Sequence, residues 1–402
     1  MANNLLTIDM ITRKSSEILE NNLVITRNVN RQYDDSFGLS GAKVGSVLRI
    51  RLPDRALVTD GAALQVQDDS EQYTTLAVTS QKHIGLNFTS AELTMSLDDF
   101  SERVLKPRIS QLAASVDADV ANAFKQIGNS VGTPGTTPAT ALVMLQANQK
   151  LNESAAPTSP RYMTVNPAAN AALVNGMAGF FNPVDAISRQ FKNGMMGDNI
   201  LGYEEVNMSQ SIKAFTVGTR TATGGTTSAA VTVEGATTIA ITGAGAAGTV
   251  KTGDVFTVAG CFAANPQTRE STGSLFQFVA TSDVTLDGSG AGTITVAPMY
   301  SAGNALATVV TLPATSSAVV FMGAAGVTYP QNLVYHRNAI TFATADLVMP
   351  QGVDMAARVQ NNGISLRIVR QFDINNDRMP CRVDVLYGYN TIRAPMGCRV
   401  WG

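Results

Sequence analysis

Apolar positions recur at three- and four-residue steps through LDDFSERVLKPRISQLAASVDADVANAFKQIG, from Leu97 to Gly128. Phe100, Val104, Leu112, Val116, Val120, Ala123, Phe124 and Ile127 carry the repeat, the spacing that lines side chains along one face of a helix. Ser96 precedes the run, and Asp98 and Asp99 put negative charge beside the free N–H groups of its first turn. Gly128 reads as its C-terminal stop. A continuous helix of this length spans roughly 45 Å. Pro107 lacks an N–H and crowds the carbonyl four residues back, so a bend is expected near the second turn. A core helix of an ordinary enzyme is the plain alternative.

Upstream, Leu5, Ile11, Ile18 and Leu19 predict a short amphipathic helix within a leader over residues 1–44. It has nothing of its own to pack on, so the leader is either frayed or laid across a neighbour, with the neighbour favoured. From Gly45 the period becomes two. Val47, Arg49 and Arg51 alternate with Leu48, Ile50 and Leu52 before Pro53, and a second strand is expected at His83–Thr89. The segment between holds Asp54, Asp60, Asp68, Asp69 and Glu71 beside Arg55, with too few large apolar groups for a core. Residues 45–88 therefore predict an extended β arm that gains order on another surface, a flexible surface loop being the alternative. Arg49, Arg51 and Arg55 are its candidates for pairing with acidic groups of an adjacent subunit.

Downstream of the long helix, a mixed α/β region is expected. Pro138–Leu151 reads as a helix with Leu142, Leu145 and Ala141 inward, and RYMTV (Arg161–Val165) as a buried strand. Short helices follow at Ala168–Asn175 and Pro183–Lys192, then a strand in GYEEVNMS. From Thr219 to Gly326 charge almost vanishes and glycine turns divide short alternating strands, the mark of a small β barrel or sandwich inserted between flanking segments. KTGDVFTVAG places Lys251–Asp254 in a turn, and Val255, Phe256, Val258, Phe276, Phe278, Val279, Ile294 and Val296 are the expected local core. The last portion predicts a long β hairpin, SLRIVR returning through RVDVLYGYNTI, with Asn375–Asn376 near its turn.

Composition sharpens this picture. Of 402 residues only 15% are charged, and 45% are hydrophobic. Such a thin charged surface suits a protein that covers itself with copies of itself. A net charge of -2 argues against a broad basic face for nucleic acid, although not against a local patch. Cys261, Cys381 and Cys398 form neither a disulfide framework nor a CxxC pair, which fits a reducing compartment. The N-terminal residues do not read as a secretory signal, and no apolar run is long enough to cross a membrane. His83 and His336 lack ligand partners at metal-binding spacing and read as core or surface residues. GAGAAG at Gly243–Gly248 follows a β pattern and does not open a helix, so it reads as a turn and not a phosphate cradle. Asp117 and Asp119 do not share a helix face. No catalytic, cofactor-binding or metal-ligating residue is singled out. A hydrolase, a lyase and a self-associating β-rich binding module remain as alternatives to an assembly subunit.

The order of the pieces resembles the P22 coat protein family of tailed-bacteriophage major capsid proteins, which carries an inserted domain on the HK97-type fold. The likeness rests on LDDFSERVLKPRISQLAASVDADVA, NPAANAALV, KTGDVFTVAG, NLVYHRNAITFATADLVMP and SLRIVRQFDINNDRMPCRVDVLYG. It implies an α+β fold: an N-terminal arm (1–44), extended loop (45–88), peripheral domain with spine helix (89–139), axial domain (140–218 and 327–363), inserted β domain (219–326), and strands returning to the peripheral domain (364–402). It implies an icosahedral shell of many copies, assembled in the bacterial host cytoplasm with scaffolding protein and a portal. That shell expands as double-stranded DNA enters and is open to a decoration protein. Catalysis, cofactors and a membrane have no place in it. On this reading Arg103, Lys106 and Arg108 are candidates to line the inner face near DNA, with Asp117 and Asp119 repelling phosphate further along. The same three cations would equally serve pairing between subunits. Some relatives of this fold join subunits by a Lys–Asn isopeptide bond. Nothing in the sequence pairs Lys82 with an Asn, so non-covalent packing is expected.

Overall fold

In the computed structural model the described residues are 8–31, 47–53, 55–59, 61–64, 66, 72–88, 105–177, 197–221, 223, 225–374 and 378–401. They group into two compact units. One draws on Met1–Arg51, Tyr73–Val120 and Ile340–Ile392, the other on Leu52–Gln72, Ala121–Ala339 and Arg393–Gly402.

The first unit is built on a sheet in which Met379–Thr391 pairs antiparallel with Ile340–Thr344, Ile364–Arg370 and Ser80–Phe88, and Met355–Asn361 pairs with Ile364–Arg370. Alternation in its strands buries Leu366, Ile368, Val383, Val385 and Tyr387. The expected hairpin of the last portion is present, while Asn375–Asn376 lie outside the described residues. The strand Val47–Arg51 also forms, with Ile50 buried and Arg49 and Arg51 exposed as the alternation requires. Its partner differs from expectation. Val47–Arg51 pairs with Tyr73–Ala77, and the segment containing His83 belongs to Ser80–Phe88, on the edge of Met379–Thr391. Gly388 makes the step from one pairing to the other possible, since a Cβ there would lie 2.2 Å from the Ala77 carbonyl oxygen.

The long helix is described over Lys106–Ala121 and continues as a 3₁₀ turn, Asn122–Gln126. Leu112, Val116, Val120, Ala123, Phe124 and Ile127 are all buried, as their spacing demands. Its first turns, including Asp98 and Asp99, lie outside the described residues, as does the stretch where a bend at Pro107 would show. Gly128 does not serve as a helix stop. Ile127 is already extended, and a Cβ on Gly128 would lie 2.4 Å from the Gln277 carbonyl oxygen, so glycine permits a close backbone approach there.

The leader corrects a second expectation. The Ile8–Asn22 helix packs on its own chain's strands Met355–Asn361 and Ile364–Arg370, with Ile18 and Leu19 buried. What holds residues 24–26 is Asp117. Its carboxylate accepts the N–H groups of Val24 (2.5 Å), Ile25 (3.3 Å) and Thr26 (3.0 Å) and the Thr26 hydroxyl (2.6 Å).

In the second unit a six-stranded sheet runs in the order Ser130–Val131, Gly397–Val400, Asn332–His336, Arg161–Val165, Tyr203–Met208, Gly197–Ile200. Arg161–Val165 and Asn332–His336 are buried at every position, the signature of strands covered on both faces. The helix at Pro167–Gly176 is capped by Asn166, whose Oδ1 accepts the Ala169 N–H (2.8 Å). The expected helix before it forms as Ala141–Glu153, with Ala141 packed against the core as expected but Leu142 and Leu145 turned outward. Met144, Ala147 and Leu151 enter the core, whereas Leu142 and Leu145 are 62% and 45% exposed. The stripe that fits the sheet runs through Met144 and Ala147 to Leu151, and its first members are less conspicuous than the exposed leucines. Residues 183–192 lie outside the described residues.

The inserted segment forms an antiparallel sheet in the order Ser271–Val279, Val255–Ala264, Ala318–Phe321, Gly225–Thr227, Ala236–Thr242, Gly292–Met299. Its first and last strands also meet, and Thr281 N–H donates to Thr295 O (2.8 Å). Inside lie Phe256, Val258, Phe278, Ile294 and Val296, with Phe276 packed against them and Val255 and Val279 also buried. Lys251–Asp254 and Gly243–Gly248 are turns, as read from the sequence. The segment enters and leaves through a short pair of strands, Ala214–Thr216 with Thr328–Pro330.

Candidate assembly interface

Arg49 and Arg51 project from the exposed face of the Val47–Arg51 strand, and the Arg49 guanidinium lies 5.4 Å from the centroid of the Tyr73 ring, diagonally across on the paired strand. Arg55 is exposed too, but it groups with the second unit, where it lines a cleft beside Lys150 and Glu153. In the same unit Ala56 O accepts a hydrogen bond from Arg269 Nη2 (2.7 Å). Val58, Leu64 and Val66 are 86%, 89% and 85% exposed. This stretch thus presents large apolar groups that the described residues leave exposed.

Of the cations on the long helix, Arg103 lies outside the described residues, and Lys106 and Arg108 are exposed. Arg108 Nη1 donates to Gly85 O (3.0 Å), tying the helix to the Ser80–Phe88 strand. The two acids further along are not a phosphate-repelling pair. Asp117 is buried against residues 24–26, and burial pushes its carboxyl upward while four donors oppose the shift. Asp119 Oδ2 receives Lys82 Nζ (2.6 Å) and the Tyr387 hydroxyl (2.6 Å). Burial and this bond push the Tyr387 phenol well above its ordinary value. Lys82 also donates to the Ser115 carbonyl (2.9 Å) and hydroxyl (2.6 Å), so its ammonium is committed within its own chain.

Sequence reading missed a cluster of fully buried charge in the second unit: Arg220, Asp254 and Arg399. Asp254 accepts the N–H groups of Lys251 (3.0 Å) and Gly218 (3.1 Å), and its Oδ1 lies 3.7 Å from Arg220 Nη2. Arg220 donates to the carbonyls of Gly323 (2.9 Å) and Met322 (2.7 Å) with its guanidinium over Phe321. Burial pushes the Asp254 carboxyl up and the Arg220 guanidinium down, each opposed by the charge of the other. The available signal was Arg220 and a TGD turn inside a stretch sparse in charge, while nothing in the sequence marked Arg399.

Chemistry beyond ion pairing is sparse. His336 is buried, Cys261, Cys381 and Cys398 are free and buried, and burial raises each thiol, to about 11 for Cys261 and Cys381 and about 12 for Cys398. Thiols so raised are poor nucleophiles. Among the described residues no group of three or more His, Cys, Asp or Glu could hold a metal ion, and no helix is long and apolar enough to cross a membrane.

None of the curated proteins matches the chain in sequence. Among solved structures it is similar to one from Mycobacterium phage Che8, with TM-score 0.45 and 11% identity over 94% of this chain and 90% of that one. Another is the mature capsid of bacteriophage PhiM1, with TM-score 0.39 and 12% identity over 88% and 81%. A third is the capsid of Staphylococcus phage Andhra, with TM-score 0.38 and 7% identity over 93% and 84%. The family model described as P22 coat protein, gene protein 5, matches residues 1–402, and the chain belongs to that coat protein family.

Proposed function

We propose that many copies of this chain, a structural protein and not an enzyme, build the icosahedral shell of a tailed bacteriophage around its double-stranded DNA. The coat-protein family match over residues 1–402 carries this reading. The exposed Val58, Leu64 and Val66 of the second unit support it, because large apolar groups at a surface suit covering by a further copy, and the first unit separately exposes Arg49 and Arg51. On an HK97-type shell, Arg49, Arg51 and Arg55 pair with acids of an adjacent subunit. Scaffolding protein and a portal guide assembly in the host cytoplasm, the shell expands on packaging, and its outside is open to a decoration protein. Negative-stain microscopy of purified chain, with scaffolding protein supplied, tests the core of the reading: closed shells are expected. A stable monomer under every assembly condition would overturn it.

Arg103, Lys106 and Arg108 face the packaged DNA in this proposal and touch it without reading sequence. A lining that held DNA tightly would oppose its packing and release. Affinity of opened shells for random duplex is therefore expected to be weak and to fall steeply with salt through counterion release. Tight binding of one particular sequence at physiological salt would refute that role.

A further inference from the structure

Within the second unit the inserted module meets the α/β region through a few polar ties. Gln277 and Ser130 bond reciprocally, Nε2 to the Ser130 carbonyl (2.9 Å) and Ser130 N–H to Oε1 (2.7 Å). Lys150 Nζ donates to Ser274 Oγ (2.6 Å). Arg399, on the strand Gly397–Val400, donates through Nε to Ile127 O (2.7 Å) and through Nη1 to Gly253 O (2.7 Å). Between the two sides lies a cleft of about 180 Å³, lined by Glu153, Phe276, Pro298 and Pro395 among others. Beside this cleft the two sides also approach closely, Gly128 against the Gln277 carbonyl and Gly253 against the Lys125 stem, so the polar ties act together with these contacts.

We infer that Arg399 is a positioning residue that sets the orientation of the inserted module on the α/β region by bracketing Ile127 and Gly253. Three observations carry this. The module's own core is complete without Arg399. The guanidinium is fully buried, stacks over Phe124 (5.2 Å), and adds a second cation to a cluster whose single acid, Asp254, already sits beside Arg220. A charge so placed is costly to desolvate, so its two carbonyl bonds, one on each side, must offset that cost. Burial lowers Arg399 to about 9, which still leaves it charged at neutral pH. Without it, the module stays folded and swings on its neck, Ala214–Thr216 with Thr328–Pro330. This inference does not depend on the shell reading.

Hydrogen exchange on the full-length chain tests it by comparing wild type with R399K, R399Q and Q277A. Lysine keeps the charge but lacks the planar fork that reaches both carbonyls. In R399Q, exchange at the neck and around Gly253 and Ser130 is expected to rise at least about tenfold, with the strands around Phe256 and Ile294 unchanged. R399K should fall between, and Q277A should show a smaller rise at the same places. Unchanged neck exchange in a folded R399Q, or a rise spread evenly over module and α/β region, would overturn the assignment. Should R399Q fail to fold, R399K decides: neck exchange equal to wild type in folded R399K, whose ammonium cannot reach both carbonyls, overturns the assignment.

Discussion

His336 Nδ1 accepts the Asn338 N–H (3.1 Å), which leaves the Nε2 proton to face the Ser159 carbonyl (3.3 Å). Burial, with Arg161 and Arg393 adding to it, lowers this imidazole below its ordinary 6.5. The unfolded chain therefore takes up the proton first as pH falls. Stability contributed by the neutral form is complete above 6.5 and is lost as pH drops toward the folded value, by roughly 1.4 kcal/mol for each unit between the two. Urea unfolding from pH 7.5 to 5 should show this acid limb, and H336Q should flatten it. That His336 is a core or surface residue and not a ligand was legible because nothing at ligand spacing accompanies it, but its burial was not. That Asp117 and Asp119 do not share a face was equally legible, since residues two positions apart on a helix diverge by some 200°. What each acid faces was not legible, because residues 24–26 and Lys82 reach them only through the tertiary fold.

Among elements, local periodicity gave the strand Val47–Arg51 and the helix Ala141–Glu153, while pairing and facing escaped it. Strand partners depend on distant segments, and Tyr73–Ala77 is bounded by no glycine or proline that would announce it. Gly388 is where this pairing can be tested. Gly388→Ala would place its Cβ against the Ala77 carbonyl, backbone against backbone, and is expected to destabilise the chain by about 1–3 kcal/mol. Thermal unfolding would register the loss, and exchange should rise first at residues 73–77. The inserted module offers the opposite case, an element whose core residues were readable because all of them lie within one contiguous stretch. Residues 214–330 expressed alone should give a dispersed amide NMR spectrum. A collapsed spectrum would mean that the module is ordered only by its host.

For the whole molecule, the order of elements was more legible than any site, since shell building needs extended surfaces and no constellation of side chains. Arg49 and Arg51 bring that to a test. Exposed ion pairs contribute only about 0.2–1 kcal/mol each, so one pair decides little in a single subunit but sets geometry when repeated across a lattice. The double variant R49E/R51E is expected to give folded, monodisperse subunits that form no shells, read by light scattering and microscopy. The sheet of the first unit has a further consequence, for synthesis. Gln81 and Asp384, which touch across it, stand 303 positions apart in the chain. A ribosome emits the inserted module whole, and it can close at once, whereas the strand Ser80–Phe88 waits with its edge open until Met379–Thr391 arrives. During that interval the nascent chain carries an unpaired strand in a cell making many identical copies. The closing of this late strand on an early one is thus expected to be the slowest and most aggregation-exposed step of its folding.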